Sequence, residues 1–271
     1  MEYTQFGKLK VSKFIIGGNP FTGFSHQGVE QDKEMLKYFT CAKIKETLAE
    51  AEKLGINTFV GRTDNHIIRM LMEYWNEGGK IQWFAQTCPE HRSPEYSAQR
   101  AIECGAKACH IHGGTMDYYY AQGKLDEAKK AIKLVRDAGL LASVAGHRPH
   151  IFRWAKDNLD LDYYMCSYYD PSPRDNRPEH LPQMEENFRE EDRKAMVETI
   201  AELPKPVVHY KIMACGRNKP AEAFAYAAKY MRDFDAVCVG ICQKDLPTML
   251  ADDVRLLEKS LADVQNKGKK K

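Results

Sequence analysis

The 271-residue sequence contains no apolar run that approaches the roughly 18 residues a membrane-spanning helix requires. Its opening, MEYTQFGKLK, lacks the apolar region of a secretory signal, so the expectation is a soluble, cytoplasmic protein. Charge of neither sign dominates. Forty Lys and Arg stand against 38 Asp and Glu, a formal net charge of +2, which argues against a nucleic-acid-binding stripe and against an acidic tail. The one basic run, Lys267-Gly268-Lys269-Lys270-Lys271, reads as a solvated tail. None of the eight cysteines lies in a C-x-x-C pair, and several fall inside apolar strand-like runs, so they read as reduced, mostly buried thiols. The turn Gly17-Gly18-Asn19-Pro20 is not a G-x-G-x-x-G, so a dinucleotide fingerprint is missing as well. A small-molecule substrate, with no nucleic acid or membrane partner, is the expectation that remains; nothing in the sequence sets the oligomeric state.

What the sequence has is alternation. Short β-branched or aromatic runs recur at residues 13–18, 57–62, 81–87, 108–113, 141–147, 163–169, 207–214 and 236–242, with charged stretches of helical period between them. Thr40 can cap a helix over 41–53 that Gly55 stops, and Ser93 can cap one ending near Gly105. Further helices are expected over 125–137, 190–201, 221–231 and about 248–262. Eight strand-helix units filling the chain without a linker predict an α/β fold, a closed (β/α)8 TIM barrel occupying residues 1–265, with 266–271 as the basic tail. A doubly wound open sheet is the alternative, because strand order cannot be read from a sequence. Residues 3–12, with Gly7 in the middle, predict an extra hairpin that plugs the N-terminal end of the barrel. Residues 170–189, DPSPRDNRPEHLPQMEENFR, form a long Pro- and charge-rich stretch that reads as an active-site lid.

The opening hairpin, the strand ending in Gly17-Gly18, the GINTF stretch at residues 55–59 and the ending DAVCVG…DDVRLLEKSL together resemble the aldo/keto reductase superfamily. The resemblance implies a (β/α)8 barrel with its site at the C-terminal ends of the strands, and hydride transfer from NADPH by an Asp, a Tyr, a Lys and a His. Aligned without gaps, the family's Asp falls on Val60, its Tyr on Asn65 and its Lys on Gln86 or Thr87; the His alone is matched, by His112. The pattern that grips the adenosine phosphate is not evident in residues 242–247. The resemblance therefore carries the fold further than the chemistry.

Strand parity then gives candidates for the mouth of the barrel. It sends His110 and His112 inward from the fourth barrel strand, His147 from the fifth, and His209 with Lys211 from the seventh, where Val208, Tyr210 and Ile212 read as the outer face. Asn19, Arg62, Asp64, Gln86, Tyr168 and Asp170 follow other strands, and Cys242, Gln243 and Lys244 follow the eighth. Phe21–Phe24 and Tyr118–Tyr120 read as aromatic loops walling the site.

Neutral imidazoles on neighbouring strands suit a divalent transition metal (Zn, Mn, Fe or Ni), with His112, His147 and His209 as ligands. The leading expectation is an enzyme acting on a small hydroxylated or phosphorylated compound, a sugar derivative, by metal- or His/Lys-assisted lyase, isomerase or hydrolase chemistry. Lys211, His112, Tyr168 and Asp170 are its catalytic candidates; Asn19, Phe21, Arg62, Asp64, Gln86, Tyr119 and Lys244 are its substrate-binding candidates. Two alternatives stand beside it: an NADPH-dependent reductase in which His66 or Tyr168 replaces the missing acid, and a non-catalytic ligand-binding barrel.

Overall fold

The computed structural model describes residues 1–268. A two-stranded antiparallel hairpin, β1 (Tyr3–Phe6) and β2 (Leu9–Ser12), precedes eight parallel strands: β3 (Phe14–Gly17), β4 (Thr58–Arg62), β5 (Gln82–Gln86), β6 (Ala108–Ile111), β7 (Leu141–Gly146), β8 (Tyr163–Ser167), β9 (Val207–Tyr210) and β10 (Ala236–Gly240). They close in chain order, with β10 pairing β3, so the fold is a (β/α)8 barrel and the open-sheet alternative is set aside. All eight strands lie within the segments that the sequence pattern marks.

Helices α1 (Val29–Tyr38), α2 (Cys41–Lys53), α3 (Asn65–Asn76), α4 (Pro94–Glu103), α5 (Gly113–Ala121), α6 (Leu125–Asp137), α7 (Pro149–Asn158), α8 (Glu190–Glu202), α9 (Pro220–Tyr230) and α10 (Met249–Gly268) surround the sheet. The side chains of Thr40 and Ser93 accept from the backbone N–H of Lys43 and Tyr96, each satisfying one orphan donor of a first helical turn for about 1 kcal/mol. Helices α1, α3, α5 and α7 are not among the expected ones. Of these, α5 changes a reading: Tyr118–Tyr120 stand on a helix, not on a loop. Helix α10 continues through residues 266–268, while 269–271 of the basic tail lie outside the described residues.

The hairpin closes the lower end of the barrel. Phe6 reaches in to meet Phe84 and Tyr163, with ring centroids 6.3 and 5.4 Å away, and it shares the inner core with Val11, Ile15, Val60, Met165 and Val208. Gly7, at the turn, has φ +49°, a conformation that favours glycine there. With the bottom sealed by apolar rings, the polar inward residues are left at the upper end.

Candidate active site

The inner layer at β6 and β7 continues upward into imidazoles. His110 is fully buried with neither ring nitrogen partnered, and burial pulls it down to about 3, so it is neutral. Two residues on, His112 follows β6 and precedes α5; its N–H donates to Thr87 Oγ1 at 2.9 Å, and its Nδ1 is buried without a partner. Burial, followed by the neighbouring His147, holds His112 well below the usual histidine range.

His147, after β7, is oriented by Asp117 on α5, whose Oδ2 lies 2.6 Å from Nδ1. The carboxylate accepts the Nδ1 proton, which leaves Nε2 as the basic nitrogen. Gly113 makes room for this pair: a Cβ there would stand 2.9 Å from His147 Cε1 and 3.0 Å from the Tyr210 hydroxyl.

After β9, two strands round the barrel from β7, strand parity alone would point Lys211 outward, because Val208 is inside and Tyr210 lines the cavity. The strand ends at Tyr210, and Lys211 takes φ +55°, which turns its side chain back into the mouth. Its Nζ donates to His26 Nε2 at 2.9 Å, so the His26 ring proton sits on Nδ1 and is donated to Glu186 Oε1 at 2.7 Å. Burial, then Lys211, pushes His26 well below its ordinary value.

The 170–189 segment covers the mouth and supplies part of its wall. Arg148 fixes it by donating to Asp170 Oδ2 (2.7 Å) and to both carboxylate oxygens of Asp175 (2.7 and 3.2 Å). Arg174 is 3% exposed, and its guanidinium bonds the Glu179 carbonyl and lies 3.4 Å from His180 Nδ1. Among the described residues no carboxylate lies within salt-bridge distance of Arg174 or of Lys211, and Arg174 Nε has no partner. Two cations without a touching counter-charge thus face one cavity.

That cavity has a volume of about 320 Å³ and is lined by Asn19, Phe24, His26, Arg62, Gln86, His112, His147, Arg174, His180, Tyr210 and Lys211, among others. Arg62 stacks over Phe24 at 4.8 Å and pairs with Asp64 and Glu90. A second, more apolar chamber of about 280 Å³ shares Asn19, Phe24, Gln86, Tyr210 and Lys211 with the first and runs toward Met249 and Asp253. Asp253 is pushed up to about 7 by burial and by Asp252.

Of the sequence candidates, Asn19, Arg62, Gln86, His112, His147 and Lys211 meet at this cavity. Phe24, from the expected aromatic wall, lines it as well, and the other candidates do not. His209 is the clearest correction: it is wholly buried on the outer side of the sheet, with Nδ1 3.0 Å from the Tyr168 hydroxyl and Nε2 3.3 Å from Asp235, because Val208 and Tyr210 take the inner positions. Tyr168 shares that outer layer and is likewise withdrawn from the mouth. The metal triad His112, His147 and His209 therefore does not converge. Phe21 is core, stacked on Phe59 at 5.7 Å. Asp64 caps α3 by accepting from the Ile67 N–H. Asp170 is an anchor for Arg148, Tyr119 packs against the core from α5, and Lys244 bonds Glu34 at the surface.

The sequence reading missed Asp117, His26, Arg174, His180 and Glu186. Asp117 had a readable signal, since five residues beyond His112 on a helix started by Gly113 places it one turn up beside the next strand. The others sit on loops, where no period locates them.

No protein-family model matches the sequence, and no curated protein matches it. Solved structures do resemble it. PA4992 of Pseudomonas aeruginosa, assigned to the aldo-keto reductases, is 16% identical with 96% of each chain covered and a TM-score of 0.64. Aldo-keto reductase AKR11C1 of Bacillus halodurans is 13% identical over 98% of this chain and 96% of its own, TM-score 0.61. A truncated 3-deoxy-D-arabino-heptulosonate 7-phosphate synthase of Thermotoga maritima is 13% identical over 97% and 93%, TM-score 0.58. At such identities the likeness is one of fold, and the fold of this chain is an aldo-keto reductase-like (β/α)8 barrel with an N-terminal hairpin.

Proposed function

We propose that this barrel is an enzyme that moves protons on a small hydroxylated or phosphorylated compound, a sugar derivative by class, in an isomerase- or lyase-type reaction. The observation that carries the reading is the pairing across one cavity of a carboxylate-oriented imidazole, Asp117–His147, with an ammonium, Lys211, that touches no carboxylate. His147 Nε2 is the base that takes a proton from the substrate carbon or hydroxyl. Lys211, lining the same cavity, is the cation that stabilises developing oxyanion charge and returns a proton. His112, whose buried Nδ1 has no partner in the protein, is a third polar contact for substrate oxygen. Arg174, which touches no carboxylate, supplies the positive charge for a phosphate or carboxylate group, while Arg62 lines the same cavity already paired with Asp64 and Glu90.

The residues do not fit the NADPH chemistry of the similar fold. Val60 and Asn65 replace an Asp and a Tyr, Asn65 is held on α3 by Arg100, and Gln86 or Thr87 stands where a Lys would tune the acid. The second chamber, which lies beside β3, β9 and β10, has Lys211 as its single lining cation and a carboxyl, Asp253, at its far end, a poor cradle for a pyrophosphate. A reductase is accordingly the weaker reading. Solvent deuterium exchange into a panel of sugars and sugar phosphates tests the proposal, with exchange expected in the wild type and lost in Lys211→Met.

A further inference from the structure

We propose that His26, His180 and Glu186 form a binding site for one divalent transition-metal ion of the zinc class, joining the loop after β3 to the 170–189 segment at the edge of the cavity. Each of the three offers a ligand atom, and these atoms all lie within 4.8 Å of one another, the one such group of three among the described residues. The set is separate from the His112, His147 and His209 triad suggested by strand parity, and no earlier step of the proposed reaction uses it as a metal site.

The spacing is already close to what an ion would impose. Metal–ligand bonds of 2.0–2.2 Å place neighbouring ligand atoms roughly 3.0–3.4 Å apart. The observed separations bracket that value: His26 Nδ1 lies 2.7 Å from Glu186 Oε1, and His180 Nδ1 lies 3.6 Å from the same oxygen. The two imidazoles pack against each other with centroids 4.4 Å apart. The histidine side chains are 8% exposed and that of Glu186 is 4% exposed, so the ligands are held by their surroundings rather than waving in solvent.

Donor chemistry selects the ion. Two imidazoles and one carboxylate suit Zn²⁺, Co²⁺, Fe²⁺ or Mn²⁺, and offer too few oxygens for Ca²⁺ or Mg²⁺. Three protein ligands leave at least one coordination position, and His26 and His180 both line the cavity, so the vacant position faces the substrate. An ion on His26 Nδ1 moves the ring proton to Nε2, 2.9 Å from Lys211 Nζ, so ion binding requires the Lys211 ammonium to release its proton or to swing away from the ring. Because Glu186 and His180 come from the segment over the mouth, ion binding would also pin that segment to the barrel.

The test reads metal binding and not turnover, so its result is independent of the reaction proposed above. Untagged protein is titrated with CoCl₂, followed by visible d–d absorption, and with ZnCl₂ by calorimetry. One ion per chain is expected, with affinity falling roughly 100-fold or more in His180→Ala and Glu186→Gln and unchanged in His150→Ala, an exposed histidine on α7. Circular dichroism checks that each variant is folded. X-ray absorption of the zinc-loaded wild type gives a reading that needs no variant: two imidazoles and a carboxylate in the shell are expected. No binding by the wild type, binding that survives both substitutions, a sulfur ligand from the nearby Cys215 or an oxygen-only shell would each overturn the proposal.

Discussion

Asp117 holds His147 at two points, its Oδ2 2.6 Å from Nδ1 and its Oδ1 3.4 Å from the backbone nitrogen, from a position 1% exposed on the helix that begins at Gly113. A buried carboxylate with one imidazole as its charge-bearing contact fixes which ring nitrogen is free. The base therefore depends on a buried residue that does not line the cavity.

Asp117→Asn should keep the backbone contact and leave the thermal midpoint within a few degrees of wild type, while turnover falls by about 10²–10⁴-fold through loss of the tautomer. Kinetics and a melting curve on the same preparation check this. A variant that melts far earlier and regains full rate when cooled would make Asp117 a structural residue only.

His209 makes the opposite case. Asp235 accepts from Val207 N, from the Arg232 guanidinium and from His209, and its carboxyl is held down at about 2 by His209 and Arg232 against the cost of burial. His209→Ala removes one member of this outer-layer network and empties a packed position, so a loss of about 2–4 kcal/mol in urea unfolding is expected with kcat nearly unchanged. Unchanged stability with lost turnover would return His209 to the mouth.

The 170–189 segment should exchange its amides faster than the barrel strands and slow when a ligand occupies the cavity. Arg148→Ala cuts the contacts to Asp170 and Asp175 and should raise exchange across the segment and raise KM. Equal, strong protection in wild type and variant, with or without ligand, would mark a fixed cover.

Asp253 gives a pH signature. Its folded value, about 7, lies above the unfolded value near 4, so between these the folded chain keeps a proton the unfolded chain has lost. Stability contributed by this group is therefore present below about pH 4 and is lost as pH rises toward 7. Asp253→Asn should match wild type at pH 4 and exceed it at pH 8 by on the order of 4 kcal/mol. Identical pH dependence in the two proteins would contradict it.

The barrel was legible because each strand is a short apolar run and each helix between keeps a 3.6 period, signals carried by consecutive residues. Half of the mouth was legible for the same reason: His110, His112 and His147 alternate with residues that must face helices. The seventh barrel strand misled because Val208, Tyr210 and Ile212 look like an outer face, yet the inner layer there is apolar too, where Val208 shares the core closed by Phe6 of the hairpin. Two apolar faces give no parity signal, and His209 finds its partners in Tyr168 and Asp235, which no local spacing reveals. Lys211 was placed in the mouth by the right outcome of that inverted parity; the cause is its positive φ. His26 and Glu186 are 160 positions apart on loops, so only the folded chain brings them together.

The most direct test of the account is proton NMR of substrate in D₂O. Wild type, Lys211→Met and His147→Gln are each incubated with a panel of sugar phosphates, free ketoses and hydroxy acids carrying an acidic C–H beside a carbonyl. The account predicts deuterium incorporation at that carbon for at least one phosphorylated or polyhydroxylated compound with wild type, and a fall of 10²-fold or more, at retained fold, in both variants. Incorporation that persists undiminished in Lys211→Met and His147→Gln, or panel compounds that bind in the cavity without any exchange or conversion, would contradict it.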